Sequence, residues 1–217
     1  MIYGQTPGWL ERCERRLRWI AIPNIASFLV GLQGIGLVLV LSDPRWWSQL
    51  ALVPQLVLEG EVWRLLTFLA LPLSLSPLWM LFVLWFLYFI VDTIENLWGA
   101  FKTTFYILIS VLLTIGFSLV FMVPITSVGS LQSTLFLAAA AIAPDTQILL
   151  FLFLPVKIAW LAWLTAAFVL WRFVAGTWIE RLYLLAIYAN YLLFFAPYHY
   201  GQLKRRYRRW EFRRQFK

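Results

Sequence analysis

ILLFLFLPVKIAWLAWLTAAFVLW, residues 148–171, is the stretch whose reading sets the number of membrane crossings. Read as one long helix, it buries Lys157 near its middle. A lone lysine at the centre of the hydrocarbon costs at least ~2.5–3.5 kcal/mol on insertion scales. The cheaper reading lays 146–157 along the membrane interface, broken at Pro155, with Lys157 facing headgroups. A span then runs over 158–172. We adopt the second reading, with the single helix as its alternative.

Outward from that stretch the chain is apolar almost throughout. Of its 217 residues 62% are hydrophobic and 13% charged, and the mean hydropathy is +0.79. A soluble domain of this size carries about a quarter charged residues. So much apolar surface needs lipid as its solvent, and the expected class is an all-α polytopic membrane protein. Apolar runs place further spans at 20–41, 78–93, 103–122, 130–143 and 180–197, six in all. The run at 130–143 is short, and its Ala138–Ala141 stretch lets a neighbouring backbone approach closely, the usual packing device in lipid. Residues 42–62 hold Trp46, Trp47, two prolines and acidic residues, which reads as a long amphipathic first loop at the interface, where indoles prefer to sit. The apolar hook 63–72 follows it.

The charge is terminal. Lys204, Arg205, Arg206, Arg208, Arg209, Arg213, Arg214 and Lys217 stand against Glu211 alone, and Arg12, Arg15, Arg16 and Arg18 against Glu11 and Glu14. This divides the chain into a basic tail at 1–19, a membrane domain at 20–197 and a basic tail at 198–217. The positive-inside rule places both termini in the cytoplasm, which an even number of spans requires. The expected partner of Lys157, Lys204, Arg205, Arg206, Arg208 and Arg209 is anionic lipid headgroups, each cation contributing ~1 kcal/mol near the surface. A nucleic-acid-binding face is not expected. Cys13 is the only cysteine, so no intrachain disulfide forms. The first apolar run is too long for a signal-peptide core of about 7–15 residues and lacks a small-x-small cleavage site, so it reads as a retained span. Short loops suggest a bacterial inner membrane.

Three sets of residues carry a resemblance. They are Trp63-Arg64 with Leu65, Leu66 and Thr67 in the first loop; Glu95-x-x-x-Gly99 at the end of the second span; and Pro144-Asp145, Pro155-Val156-Lys157 and Trp160 around the fifth. Their order within six spans resembles the rhomboid superfamily over residues 20–197, and the third set resembles the inactive, Derlin-like members. The resemblance implies a six-helix rhomboid-like bundle in which Trp63, Arg64, Glu95 and Gly99 are structural. It also implies binding of membrane-protein clients or local perturbation of the bilayer.

The chain departs from the active members at the catalytic positions. Their Gly-x-Ser-Gly stretch aligns with Gly129-Ser130-Leu131-Gln132-Ser133-Thr134-Leu135-Phe136. If Phe136 takes the aromatic position four residues after the nucleophile, the nucleophile's place falls to Gln132, and an amide is no nucleophile. The family's His-x-x-x-Asn pair falls near Met80 and Leu84. The only histidine, His199, lies ~28 Å along a helix from Glu180, whereas a base must come within about 3 Å of its nucleophile. No catalytic residue, cofactor or metal ligand is therefore expected. A serine protease built on Ser130 or Ser133 with a non-family mechanism is the outside alternative, and a structural subunit of a larger membrane complex is a second.

The polar residues inside the spans each have a functional and a plain reading. Gln132 and Ser133 would contact a client's backbone or hydrogen-bond a neighbouring helix. Asn190, near mid-membrane, has the same two readings, because intramembrane polar groups are functional candidates by default. Asp92 and Glu95 would form an acid–base pair, or cap and position the turn between the second and third spans. Arg64 would recognise a lipid phosphate, or anchor the first loop. His199, between two tyrosines, reads as an interfacial side chain.

Overall fold

Lys157 stands at the junction of a strand and a helix. Its side chain is half exposed and lies 3.8 Å from the Asp145 carboxylate, and the next helix begins at Ile158. The single long helix through Lys157 does not form. The segment before it is folded back on itself rather than laid out as a single stretch broken at Pro155. Strands β1 (Gln147–Leu150) and β2 (Leu154–Lys157) pair antiparallel, with Gln147 opposite Lys157 and Leu149 opposite Pro155. A hairpin satisfies backbone groups that so apolar a segment cannot offer to water. Proline, which has no N–H to donate, is tolerated on such an edge.

The computed structural model describes residues 8–150 and 154–215, with side chains described except at 149, 150, 154, 155, 197–199, 202, 203 and 205–215. In chain order the helices are α1 (Gly8–Leu17), α2 (Ile25–Ser42), α3 (Arg45–Leu50), α4 (Pro54–Leu58), α5 (Arg64–Thr67), α6 (Pro77–Trp98), α7 (Ala100–Phe121), α8 (Gly129–Ile142), α9 (Ile158–Ala175) and α10 (Trp178–Gln215), with 3₁₀ turns at Arg18–Ile20 and Phe68–Ala70. Among the described residues, α2, α6, α7, α9 and the Trp178–Ala196 part of α10 are long and apolar enough to cross a membrane. The chain is a multi-pass, helical membrane protein. Helix α8 is shorter, ~21 Å at 1.5 Å per residue, and packs against α6, α7, α9 and α10. Its Ala138 and Ala139 have no exposed surface, which is how a small-residue stripe lets helices close in.

Contacts fix which ends meet. The Ile22 amide donates to the Thr104 hydroxyl, and Trp98 packs edge-on against Phe194 and tilted against Phe195. The start of α2, the α6–α7 turn and the later part of α10 therefore share one end, here the terminal end. At the far end the first loop joins the α7–α8 loop through a bridge between Leu52 and Ile125. Gly36 brings α2 against the 3₁₀ turn at Phe68–Ala70. A Cβ there would stand 1.8 Å from the Ala70 carbonyl oxygen.

Three expected boundaries shift. The polar stretch after the second span is almost wholly helical, so α6 runs on to Trp98 and α7 starts at Ala100. Only Gly99 separates them, at φ +96°, a region that glycine enters without strain. The basic segment 1–19 is not a free tail where it is described. Trp9, Leu10, Cys13 and Leu17 share one face of α1, and Leu10 is fully buried against the bundle. Nor does Pro197 end the last helix, which continues as α10 to Gln215. Proline removes one i→i−4 bond, and the lysines and arginines beyond it are good helix formers.

Candidate functional site

A cavity of about 540 Å³ opens at the far end between α8, α9, α10 and the loop 123–127. Its lining is rich in hydroxyls. Helix α8 contributes Ser130 and Ser133 from its first turns, the α7–α8 loop Thr126 and Ser127, α9 Thr165, and α10 Tyr183 and Tyr188. Ser133 Oγ donates to the Ser130 carbonyl at 2.7 Å and lies 2.6 Å from the Tyr188 hydroxyl. Hydroxyls both donate and accept, so this wall can satisfy either half of a peptide group.

The charged side of the cavity is a clamp. Arg172, near the end of α9, donates from Nη2 at 2.7 Å and from Nε at 3.1 Å to Glu180 Oε1 at the start of α10. Gly176 makes the tight turn between them possible: a Cβ there would meet the Arg172 carbonyl at 2.6 Å and Glu180 Oε2 at 2.8 Å. The clamp matters because α9 is otherwise loosely held. Ile158 is its one buried residue, and Phe168, which lines the cavity, is more than half exposed. The cavity wall is thus continuous with an apolar helix surface that faces outward.

Of the residues singled out from the sequence, Ser133 and Ser130 line this cavity. Gln132 does not: it is half buried, and its Nε2 has no hydrogen-bond partner among the described residues. Asn190 sits instead between α10 and α7, 1% exposed. Its Nδ2 donates to the Tyr106 carbonyl and to Ser110 Oγ, leaving Oδ1 unpartnered. This is the helix-bonding reading. His199 belongs to α10, but its side chain lies outside the described residues. It follows Tyr188 by eleven positions, ~16 Å along the helix, so the serine that Tyr188 holds is far from it.

Arg64 is an anchor. It is buried, its Nη1 donates to the carbonyls of Ser48, Gln49 and Ala51, and its Nε donates to Glu61 at 2.6 Å. Those carbonyls precede Leu52, which pairs with Ile125 of the cavity wall. Trp63 beside it is largely exposed. Glu95 has a different partner from the one expected. It does not cap its own turn but accepts the amides of Asn24 at 2.7 Å and Ile25 at 3.2 Å, at the N-terminus of α2. There a carboxylate satisfies orphan N–H groups and meets the helix dipole. Asp92 is separately occupied with Asn96, so the two acids do not form an acid–base pair. Lys204 is exposed. The side chains of Arg205, Arg206, Arg208 and Arg209 lie outside the described residues.

Sequence reasoning missed Tyr183, Tyr188, Thr165 and the Arg172–Glu180 pair. The only available signal was that polar groups cluster near the ends of the last three spans. It also missed the buried polar face of α7, where Tyr106, Ser110, Thr114 and Ser118 recur every fourth position. No protein-family model, no curated protein and no solved structure matches this chain.

Proposed function

We propose that this chain is a non-catalytic, rhomboid-like membrane protein of six spans that receives a loosened segment of a membrane-protein client in its far-end cavity. The observation that carries the reading is the hydroxyl wall of that cavity, set beside a helix that faces lipid. A client helix that frays near the membrane surface exposes N–H and C=O groups that lipid cannot satisfy. Ser130, Ser133, Tyr183 and Tyr188 offer partners for both. In the rhomboid-like reading α8 is the fourth span, its ~21 Å well short of the ~30 Å hydrocarbon, which favours local thinning of the bilayer around it. The absence of catalysis is supported by Gln132 at the position the resemblance gives to the family's nucleophile. Both termini are then cytoplasmic, in a bacterial inner membrane, with the tail cations Lys204, Arg205, Arg206, Arg208 and Arg209 over anionic headgroups.

A second reading, a structural subunit of a larger complex, is favoured by α9, which turns Trp160, Trp163 and Trp171 outward. One experiment separates the readings. A photo-crosslinking amino acid is placed at Thr165 in the natural host, and the products are identified by mass spectrometry. A mixed set of membrane proteins in low yield supports client binding. One partner in fixed ratio supports the subunit. Labelling of Ser130 or Ser133 by a serine-reactive probe would overturn both in favour of a protease.

A further inference from the structure

The N-terminal basic segment is a built surface. Helix α1 lays Trp9 against Phe105 of α7 and Phe194 of α10, at ring distances of 6.5 and 5.1 Å, and its Glu14 reaches Lys102 at 3.8 Å. Phe105 is five residues past the first residue of α7, ~7.5 Å from the helix start. The helix therefore lies beside the start of α7 and the end of the Trp178–Ala196 part of α10 that is long and apolar enough to cross a membrane.

The opposite face of α1 carries Arg12, Arg15 and Arg16, all exposed, and Arg18 follows in the 3₁₀ turn. Next to it Trp19 is 80% and Ile22 44% exposed, the pairing of indole and cation found where protein meets a headgroup layer. Most acids nearby are engaged elsewhere, and the face keeps an excess of cations. Glu14 is turned to Lys102, Glu95 to the α2 amides, Asp92 to Asn96 and Asp145 to Lys157; Glu11 remains on α1 among the arginines.

We propose that this arginine face binds the phosphates of anionic phospholipid, as a surface distinct from the C-terminal basic stretch and independent of what the far-end cavity holds. The partner is lipid because the face is cationic, lies beside the ends of spanning helices and is flanked by exposed apolar side chains. A soluble polyanion would leave Trp19 and Ile22 uncovered.

The test uses the full chain reconstituted in nanodiscs of mixed phosphatidylcholine and phosphatidylglycerol. Selectivity is read from the fraction of spin-labelled phosphatidylglycerol, relative to phosphatidylcholine, that is motionally restricted by the protein. Replacing Arg12→Gln, Arg15→Gln and Arg16→Gln together should reduce that selectivity. Each cation near an anionic surface is worth about fivefold, so up to roughly a hundredfold at low salt is at stake. The same three positions changed to lysine should retain selectivity, and unchanged thermal unfolding would show that the exposed substitutions leave the fold intact. A matching set of glutamines at Lys204, Arg205, Arg206, Arg208 and Arg209 should leave a clear remainder. The proposal is overturned if the α1 variant keeps full selectivity, if the C-terminal variant alone abolishes it, or if the wild-type protein shows no preference for phosphatidylglycerol.

Discussion

The two ends of this bundle solve the same problem in opposite ways. At the terminal end Trp9, Trp98, Phe105, Tyr106, Phe194 and Phe195 form one cluster of rings, mostly edge-on or tilted, which closes the space between α1, α6, α7 and α10. At the far end the space between α8, α9 and α10 stays open, lined by hydroxyls and one ion pair. Aromatic surface is stabilised by packing and makes a rigid seal. Hydroxyls on an open wall add little to stability but offer partners to an incoming chain. The comparison teaches that a sealed end and an open end stand at opposite ends of one bundle, so changes at the two should have different signatures.

The largest effect is expected at the seal. Phe194→Ala removes a buried ring that touches four others, and should cost about 3–5 kcal/mol, read as a lowered midpoint of thermal unfolding in nanodiscs. A shift as small as that of a far-end variant would break the comparison. Arg64→Ala comes next. It orphans three carbonyls and the Glu61 carboxylate, at about 3 kcal/mol, and should expose the first loop to protease. Arg64→Lys should recover only part, because an ammonium lacks the guanidinium's fork.

Between the ends, Gly36→Ala forces a methyl onto the Ala70 carbonyl. Overpacking of this kind costs about 1–3 kcal/mol, and should be visible as a loss of protection in amide hydrogen exchange over residues 64–71. The smallest effect sharpens the contrast. Tyr188→Phe removes only the bond to Ser133, worth ~0.6 kcal/mol for an average side-chain hydrogen bond in membranes. It should leave the unfolding midpoint nearly unchanged while reducing crosslinking from Thr165 to clients.

Much of the fold is legible from periodicity and charge. The break at Lys157 follows from the cost of burying one cation, and the helix does begin at Ile158. Arg64 had two readings, lipid phosphate or loop anchor, and only its burial against three loop carbonyls decides for the anchor. Glu95 could be marked as structural but not paired correctly, because its partners are the amides of Asn24 and Ile25, some seventy residues away. No local pattern encodes that distance. The cavity was illegible for the same reason. Tyr188 and Ser133 are ordinary residues of two different helices, and only the side-by-side, parallel packing of α8 and α10 brings their oxygens together.

The sequence by itself determined that this protein lives in lipid, roughly where its apolar spans lie, and that its charge lies at the chain's two ends. Those properties depend on composition and on near neighbours, which solvation free energy reads directly. Only the tertiary structure decided that the basic N-terminal segment docks as a helix, that Asn190 bonds α7 rather than facing the cavity, and that hydroxyls from three helices share one wall. These depend on which faces meet, and in lipid that is settled by shape and hydrogen bonding between helices rather than by hydrophobicity, which is alike on every face.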